Sequence, residues 1–400
     1  MNIAILHSAF VESGGAERVI LNEASYLRSR GHGVACYGSI IDYEKCYPGA
    51  LKSIDVRPYI LNLPLPKLRL LITLPMSLVA ASAISRQLRD FDVIICHHEP
   101  SPWVGYKAWR KFGVPYLCYM HHPPRFIYPR PVERQLGWGH NYDRRLIDFV
   151  GNRTRIVKKI DSVAVLEARG ILANSARTSS EIMQVYGRRS TVCYPGVNLW
   201  RAREGGGSNK ALMGEHGIDG PFVVSVGRHT PHKRLDWLLM IFSRVAKAFP
   251  ELDLVIAGEF HPTYTPRLEQ IARKMGISDR TKFLGHVPDQ LLSILYAESL
   301  VCLYTAANED FGMIPVEAMS CGAPVVAWEG DGPSETINER VGFKAKAYDL
   351  SDFVRKTVTL LSEDSLREEM SQNAIRYARE NFSWERHVDI LEKEILSLSE

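Results

Sequence analysis

Short apolar runs alternate with amphipathic helical stretches, the alternation stops, and then it starts again. In the first half Ile3–His7, His32–Tyr37, Val93–Cys96, Tyr116–Met120, Ile171–Ala173 and Thr191–Tyr194 read as strands. Helices are predicted over Ala16–Arg30, around Gly105–Phe112, and from Ser175 to about Tyr186. Ala16–Arg30 carries Val19, Ile20, Ala24 and Leu27 near 3.6-residue spacing, one apolar face of a helix. Gly196–Gly220 breaks the pattern; it is polar, contains Gly205-Gly206-Gly207-Ser208, and reads as a connection with a small helix inside it. Strands then return at Phe222–Val226, Leu252–Ala257, Lys282–Leu284, Leu300–Tyr304 and Pro324–Ala327. Helices are predicted at Leu235–Phe249, Pro266–Met275, Gln290–Ala297, Ile314–Ser320 and Pro333–Asn338, and three more at about Ser351–Leu361, Ser365–Glu380 and Trp384–Leu398. Strand–helix–strand repetition demands a parallel sheet with helices on both faces. The expectation is therefore an α/β chain of two doubly wound parallel-sheet domains, 1–196 and 221–382, with a linker over 197–220 and a final helical segment over 383–400.

Length agrees, since 400 residues exceed what one hydrophobic core supports. With 46% hydrophobic and 24% charged residues, the chain is not disordered, collagen-like or a disulfide scaffold. Its seven cysteines form no C-x-x-C pair and no zinc spacing, so they are expected as reduced thiols packed like small hydrophobes, as in a cytoplasmic protein. The opening MNIAILHSAF lacks a basic n-region and a long apolar h-region, and no signal peptide is expected. The longest apolar stretch, Leu68–Ile84, carries Arg69 and Pro75 and falls short of the ~20 apolar residues of a membrane span.

Charge divides with the domains. Residues 1–196 hold 26 Lys and Arg against 15 Asp and Glu, a net +11; residues 197–400 hold 23 against 30, a net −7. A basic half suits an anionic partner. No helix-turn-helix, zinc-finger or RNP-type signature points to nucleic acid, so none is expected as a partner. Lys67, Arg69, Arg86 and Arg89 flank or punctuate Leu68–Ile84, and Arg144, Arg145, Arg153, Arg155, Lys158 and Lys159 form a second cluster. Apolar residues beside bases fit a segment lying on an anionic membrane, and equally a buried helix with solvated flanks.

Open α/β sheets bind ligands beyond the carboxyl ends of their strands, so the loops after strands carry the chemistry. Ser13-Gly14-Gly15-Ala16-Glu17-Arg18 follows the first strand and runs into a helix, whose start favours an anion. It lacks the G-x-G-x-x-G of a dehydrogenase, and a glycine-softened helix entry explains it equally. In the second half the first strand ends in Gly227-Arg228-His229-Thr230-Pro231-His232-Lys233-Arg234. Arg228 and Lys233, five apart, can reach one diphosphate, Arg as a fork and Lys as a point charge. The stretch from Glu309 through Asp310-Phe311-Gly312-Met313-Ile314-Pro315-Val316 to Glu317 places two carboxylates eight apart. Gly312 at the helix start exposes backbone amides to phosphate, and ionised carboxylates accept hydrogen bonds from sugar and ribose hydroxyls. Asp90-Phe91-Asp92 has the form of a metal-binding Asp-x-Asp, but it precedes a strand, at the amino end, and reads as a turn.

Together these motifs resemble a retaining glycosyltransferase of family 4, with the two-Rossmann GT-B fold. Glu309 and Glu317 match the Glu-x7-Glu signature, Arg228 and Lys233 the Arg…Lys pair, and Gly14-Gly15 the Gly-Gly loop. Ala173-Asn174-Ser175 with Thr178, and Tyr194-Pro195-Gly196-Val197, match further family runs. Tyr119-Met120-His121-His122-Pro123-Pro124-Arg125 and Lys233-Arg234 resemble the mannosyltransferase-like branch acting on lipid-linked saccharides. Gly258-Glu259-Phe260 and Asp331-Gly332-Pro333 depart from the common turns of the family.

The resemblance implies two domains facing a central crevice, with the last helix crossing back to the first. It implies that Glu317 holds ribose, that Arg228 and Lys233 neutralise the departing diphosphate with the Gly312–Ile314 amides, and that Glu309 holds the transferred sugar. Gly227, Phe311 and Met313 would line the nucleotide-sugar, His121 would contact the sugar, and Arg125 and Tyr128 would stand on the acceptor side. The implied donor is a nucleotide diphosphate sugar, GDP-mannose favoured, and the implied acceptor a saccharide or lipid-linked saccharide. Attack is front-face, and no metal or other cofactor is expected, because Arg and Lys do the metal's work. The implied place is the cytoplasm, at the inner face of the cytoplasmic membrane. A nucleotide-sugar 2-epimerase of the same fold and a non-catalytic nucleotide-binding protein are the competing readings.

Overall fold

The computed structural model describes residues 1–59, 80–125, 127–130, 154–198 and 206–398. The chain divides into two compact units, Met1–Gly196 with Trp384–Glu400, and Val197–Ser383.

In the first unit seven parallel strands, β1 Asn2–His7, β2 Gly33–Gly38, β3 Val56–Pro58, β4 Val93–His97, β5 Tyr116–Met120, β6 Gly170–Ala173 and β7 Thr191–Val192, run in the order β3-β2-β1-β4-β5-β6-β7. The strand period of two explains why these runs are apolar throughout: Ile3 and Ile5 enter one core and Ala4 and Leu6 the other, on opposite faces of the sheet. The second unit holds six parallel strands, β8 Phe222–Val226, β9 Asp253–Ala257, β10 Thr281–Gly285, β11 Cys302–Tyr304, β12 Val325–Trp328 and β13 Gly342–Ala345, in the order β10-β9-β8-β11-β12-β13. In both sheets the order reverses beside the first strand, between β1 and β4 and between β8 and β11, which is where a doubly wound sheet opens a binding crevice.

The final helix, Trp384–Ser397, belongs to the first unit. Trp384, Val388, Leu391 and Ile395 fall on one helical stripe and are buried in the same core as Ile3, Ile5 and Leu27. Gly196 makes room for it, because a Cβ there would stand 2.6 Å from the Trp384 backbone nitrogen.

Several boundaries differ from the sequence reading. The helix expected around Gly105–Phe112 starts earlier, at Ser101, because Pro102 suits a first helical turn. The strand read as Thr191–Tyr194 pairs only over Thr191–Val192, and the helix read as Pro333–Asn338 ends at Thr336. Strands β3 and β13 and the helix Thr154–Leu166 were not expected. All seven cysteines are buried and unbridged. Of the apolar stretch Leu68–Ile84, residues 68–79 lie outside the described residues, as do Lys67, Arg69, Arg144, Arg145 and Arg153. No helix among the described residues is long and apolar enough to cross a membrane.

Candidate functional site

The second unit brings two loops together at its switch point. One, Gly227–Arg234, follows β8; the other, Thr305–Gly312, follows β11. Thr305 Oγ1 donates to the carbonyls of Lys233 and Arg234 at 3.2 Å, and Ala307 N donates to the His232 carbonyl at 3.1 Å. A third loop closes on the second: Asn308 N donates to Asp331 Oδ2 and Gly332 N to the Glu309 carbonyl. Asp331-Gly332 thus braces the Glu309 loop from behind.

Across this joint Lys233 Nζ donates to Glu309 Oε2 at 2.7 Å and to Tyr304 Oη at 3.1 Å, while Tyr304 Oη donates to the same Glu309 oxygen at 2.6 Å. Burial works against a charged Glu309, but the Lys233 ammonium, the two hydrogen bonds and nearby His232 outweigh it and hold the carboxyl at about 2. Lys233 and Glu309, assigned separate tasks from sequence, form one ion pair. Tyr304 was missed; its signal was its place as the last residue of a strand entering the Glu309 loop. Arg228 is exposed on the same loop as Lys233, whereas Arg234 lies over the Trp237 ring at 3.6 Å and bonds Asp236.

Two glycines are demanded by geometry. Gly312 caps the helix Met313–Ser320 with φ +85°, and a Cβ would meet Pro333 Cγ at 2.6 Å. Gly258 has φ +144°, and a Cβ would fall 2.0 Å from the Gly227 carbonyl oxygen, so the loop after β9 presses directly on the loop after β8. The sequence departure at Gly258-Glu259-Phe260 therefore keeps the one residue that contact requires. Past Gly312, Met313 and Ile314 are partly exposed at the helix start, Phe311 is buried against Phe382, and Glu317 is buried with Tyr296 Oη 3.5 Å from its Oε2.

The first unit gathers histidines at its own switch point. His7 ends β1, His97 ends β4, and His121 follows β5. His97 Nδ1 lies 3.2 Å from His121 Nε2, and His98 stacks on the His121 ring at 4.8 Å. Thr178 Oγ1 donates to the His121 carbonyl, and Thr178 N donates to Ser175 Oγ at the cap of the helix Ala176–Tyr186, so the Asn174-Ser175…Thr178 run holds the His121 backbone. Burial, then the neighbouring His97, His7, His122 and His387, push His121 well below the usual histidine range, which keeps it neutral. Gly14 caps the helix Gly15–Ser29 in extended conformation, but the space over it is taken: a Cβ would stand 2.4 Å from Oε2 of the chain's own Glu17, whose other oxygen pairs with His7 at 3.3 Å. Gly14 therefore faces the end of the Glu17 side chain. Arg125 and Tyr128 sit in the turn after Pro124; Tyr128 Oη lies 3.3 Å from Ser162 Oγ, and burial, then Asp161, raise its phenol. Asp92 accepts from the backbone nitrogen of Asn2 at 2.6 Å, and Asp90 lies against Arg89 at 3.3 Å, a turn at the amino end of β4.

Residues 13–201 match the family described as Glycosyltransferase Family 4, and residues 209–377 match Glycosyl transferases group 1. Relatives include the D-inositol 3-phosphate glycosyltransferase 2 of Catenulispora acidiphila, 30% identical over 311 residues, covering 74% of this chain and 68% of that protein. The D-inositol 3-phosphate glycosyltransferase of Thermomonospora curvata is 28% identical, covering 75% and 70%. Among solved structures, Anabaena HepE in complex with UDP superposes with a TM-score of 0.79 at 20% identity, covering 99% of this chain and all of that one. The sucrose-phosphate synthase of Thermosynechococcus elongatus gives 0.78 at 20% identity, covering 99% and 98%. With two doubly wound parallel sheets, both family matches and these relatives, the chain belongs to the GT-B glycosyltransferases of group 1 and family 4.

Proposed function

We propose that the protein is a retaining hexosyltransferase that moves mannose from GDP-mannose to a saccharide or lipid-linked saccharide. The observation that carries the reading is the Lys233–Glu309–Tyr304 cluster at the switch point of the second sheet, with Arg228 exposed on the Lys233 loop. A glycosyl transition state is an oxocarbenium-like carbon beside a departing diphosphate, so stabilising the leaving group is the main electrostatic task. Arg228 and Lys233 take that role with the backbone amides at Gly312–Ile314. Glu309, anchored through Lys233, holds sugar hydroxyls, Glu317 holds ribose, and Gly227, Phe311 and Met313 line the nucleotide. Gly14, Gly15 and His121 are the first unit's contribution, and Arg125 and Tyr128 its acceptor side. With no carboxylate assigned as nucleophile, the leaving phosphate takes the acceptor proton on the front face.

HepE is described in complex with UDP-glucose, and the relatives above are named for D-inositol 3-phosphate, which sets the panel that tests this reading. GDP-mannose, GDP-glucose, UDP-glucose and UDP-galactose are supplied with lipid-linked saccharide, with D-inositol 3-phosphate or with no acceptor, and nucleoside diphosphate release is measured. Release from GDP-mannose only with saccharide present is expected. Sugar inversion at C2 without acceptor would favour the 2-epimerase, and binding without turnover a non-catalytic protein. Activity is expected to survive EDTA, because two basic side chains do the metal's work; loss that manganese restores would overturn that part.

Anionic membrane docking by the first unit belongs to the same proposal. On the helix Ser101–Phe112 the rings of Trp103, Tyr106 and Trp109 follow one another at 5.1 and 6.2 Å, Lys107 Nζ lies 4.5 Å over Trp103, and Arg110 and Lys111 are exposed. All three rings pack on the core of the unit and are only partly exposed, and part-exposed rings beside bases suit the headgroup level of a bilayer. The full chain is expected to sediment with phosphatidylglycerol vesicles at low salt and to release at high salt. At about 1 kcal/mol per base, reversing Lys107, Arg110 and Lys111 to Glu costs roughly 10²-fold or more in partitioning. Equal sedimentation with neutral vesicles, or none at low salt, would remove the membrane.

A further inference from the structure

Behind His121 lies a chain of buried polar groups that no step above uses. Glu23, on the helix Gly15–Ser29, is completely buried between two imidazoles. Its Oε1 is 2.9 Å from His387 Nε2 on the final helix, and its Oε2 is 2.9 Å from His97 Nε2. The second contact is close but poorly directed, and neither Glu23 Oε2 nor His97 Nε2 has a hydrogen-bond partner among the described residues. His97 Nδ1 then meets His121 Nε2. The other groups around this line are His7 with Glu17, His98, His122, Tyr119 and Cys193, whose sulfur lies 3.4 Å from His387 Nδ1.

The protons can be placed from the partners. His387 Nδ1 lies 2.8 Å from the Tyr194 carbonyl, and its Nε2 faces a carboxylate; both partners only accept, so His387 carries both protons and is an imidazolium. That one positive charge balances Glu23. A second imidazolium at His97 would stand uncompensated in the same buried place, which is costly. His97 is therefore neutral, with its proton on Nε2 toward Glu23 and a lone pair on Nδ1. That lone pair needs a donor, and the atom facing it is His121 Nε2. His121 Nδ1 has no partner among the described residues.

We propose that Glu23, acting through His97, locks His121 as the neutral tautomer protonated on Nε2, so that its Nδ1 is presented as an acceptor for a sugar hydroxyl. Glu23 and His97 are positioning residues, and His387 ties their charge balance to the final helix. The hydroxyl's role rests on the transferase reading above; the tautomer does not.

The test is NMR of the full chain labelled with 15N-histidine, reading ring nitrogens through two-bond couplings at neutral pH, with His121→Asn assigning the signal. The expected result is a His121 ring protonated on Nε2 alone. An Nδ1-protonated ring or an imidazolium overturns the proposal. His97→Leu removes the lone pair and His97→Asn offers a carbonyl oxygen near its place. Leu is expected to release the tautomer into a mixture and lower turnover about 10-fold or more, the scale of a lost orienting partner, whereas Asn restores both. A His121 spectrum unchanged in the Leu variant overturns the lock, and should that variant fail to fold, the wild-type spectrum still decides. Adding GDP-mannose or UDP-glucose is expected to shift His121 Nδ1, whereas free GDP or UDP leaves it in place. A correct tautomer that no nucleotide-sugar shifts refutes the hydroxyl contact and counts against the transferase site, leaving the lock intact.

Discussion

Replacing Lys233 with alanine is expected to lower turnover by about 10²-fold or more, equal to about 2.7 kcal/mol of barrier. Two losses combine. The departing diphosphate loses a cation, and Glu309 loses the partner that keeps it ionised in a partly buried place, with Tyr304 alone among the described residues left to donate to its oxygen. Lys233→Arg is expected to rescue little, because the planar guanidinium cannot occupy the point between Glu309 Oε2 and Tyr304 Oη that the ammonium fills at 2.7 and 3.1 Å. Glu309→Gln separates the roles. It leaves Lys233 its charge, so affinity for free nucleoside diphosphate is expected to stay within about 3-fold while turnover falls. The measurement is steady-state kinetics on variants whose melting temperatures match the wild type. Near-normal turnover by a folded Lys233→Ala chain would end the assignment.

The same pair shows how far a sequence can be read. Arg228, Lys233 and Glu309 stand out because each is charged and lies in a loop after an apolar run that the doubly wound pattern makes a strand, and Glu317 because it follows Glu309 by eight residues on the next helix. Their pairing was not legible. Lys233 and Glu309 sit on loops after β8 and β11, which are neighbours only because the sheet order skips from the first strand to the fourth. Glu23 illustrates the opposite failure. On a helix with Glu17 and Arg18 nearby it reads as one more solvated charge, yet it is wholly buried, because its two partners come from the end of β4 and from the last helix of the chain. β3 was hidden by Arg57 and Pro58 in a three-residue strand at the sheet edge, and β13 by Lys344 in a run of four. Edge strands need less apolar content, and so they leave less signal.

A chain ending at Ser383 is expected to lose its first unit altogether. The final helix contributes Trp384, Val388, Leu391 and Ile395 to the core that holds Ile3, Ile5, Val19 and Leu27. At about 1.5–3 kcal/mol for each fully buried apolar side chain, the loss is about 6–12 kcal/mol, against a typical total stability of about 5–15 kcal/mol. Polar losses add to this. Arg30 is paired with Asp389 at 2.6 Å and with Glu392 at 2.6 Å, His32 bonds Glu392 at 2.7 Å, and Glu23 would be left buried without His387. Removing one member of a buried pair costs about 3–5 kcal/mol by itself. Trp384→Ala is the gentler version, costing about 3–5 kcal/mol while leaving the rest of the helix to dock. The checks are solubility, far-UV circular dichroism and thermal melting of both proteins beside the wild type. If the shortened chain stays soluble and melts at the wild-type temperature, the helix is an appendage and the polar chain from His387 to Glu23 holds nothing in place. If instead it aggregates while Trp384→Ala folds with a lowered melting temperature, the first sheet depends on a helix that follows the second unit in sequence, and the His121 site is assembled only once that helix has docked.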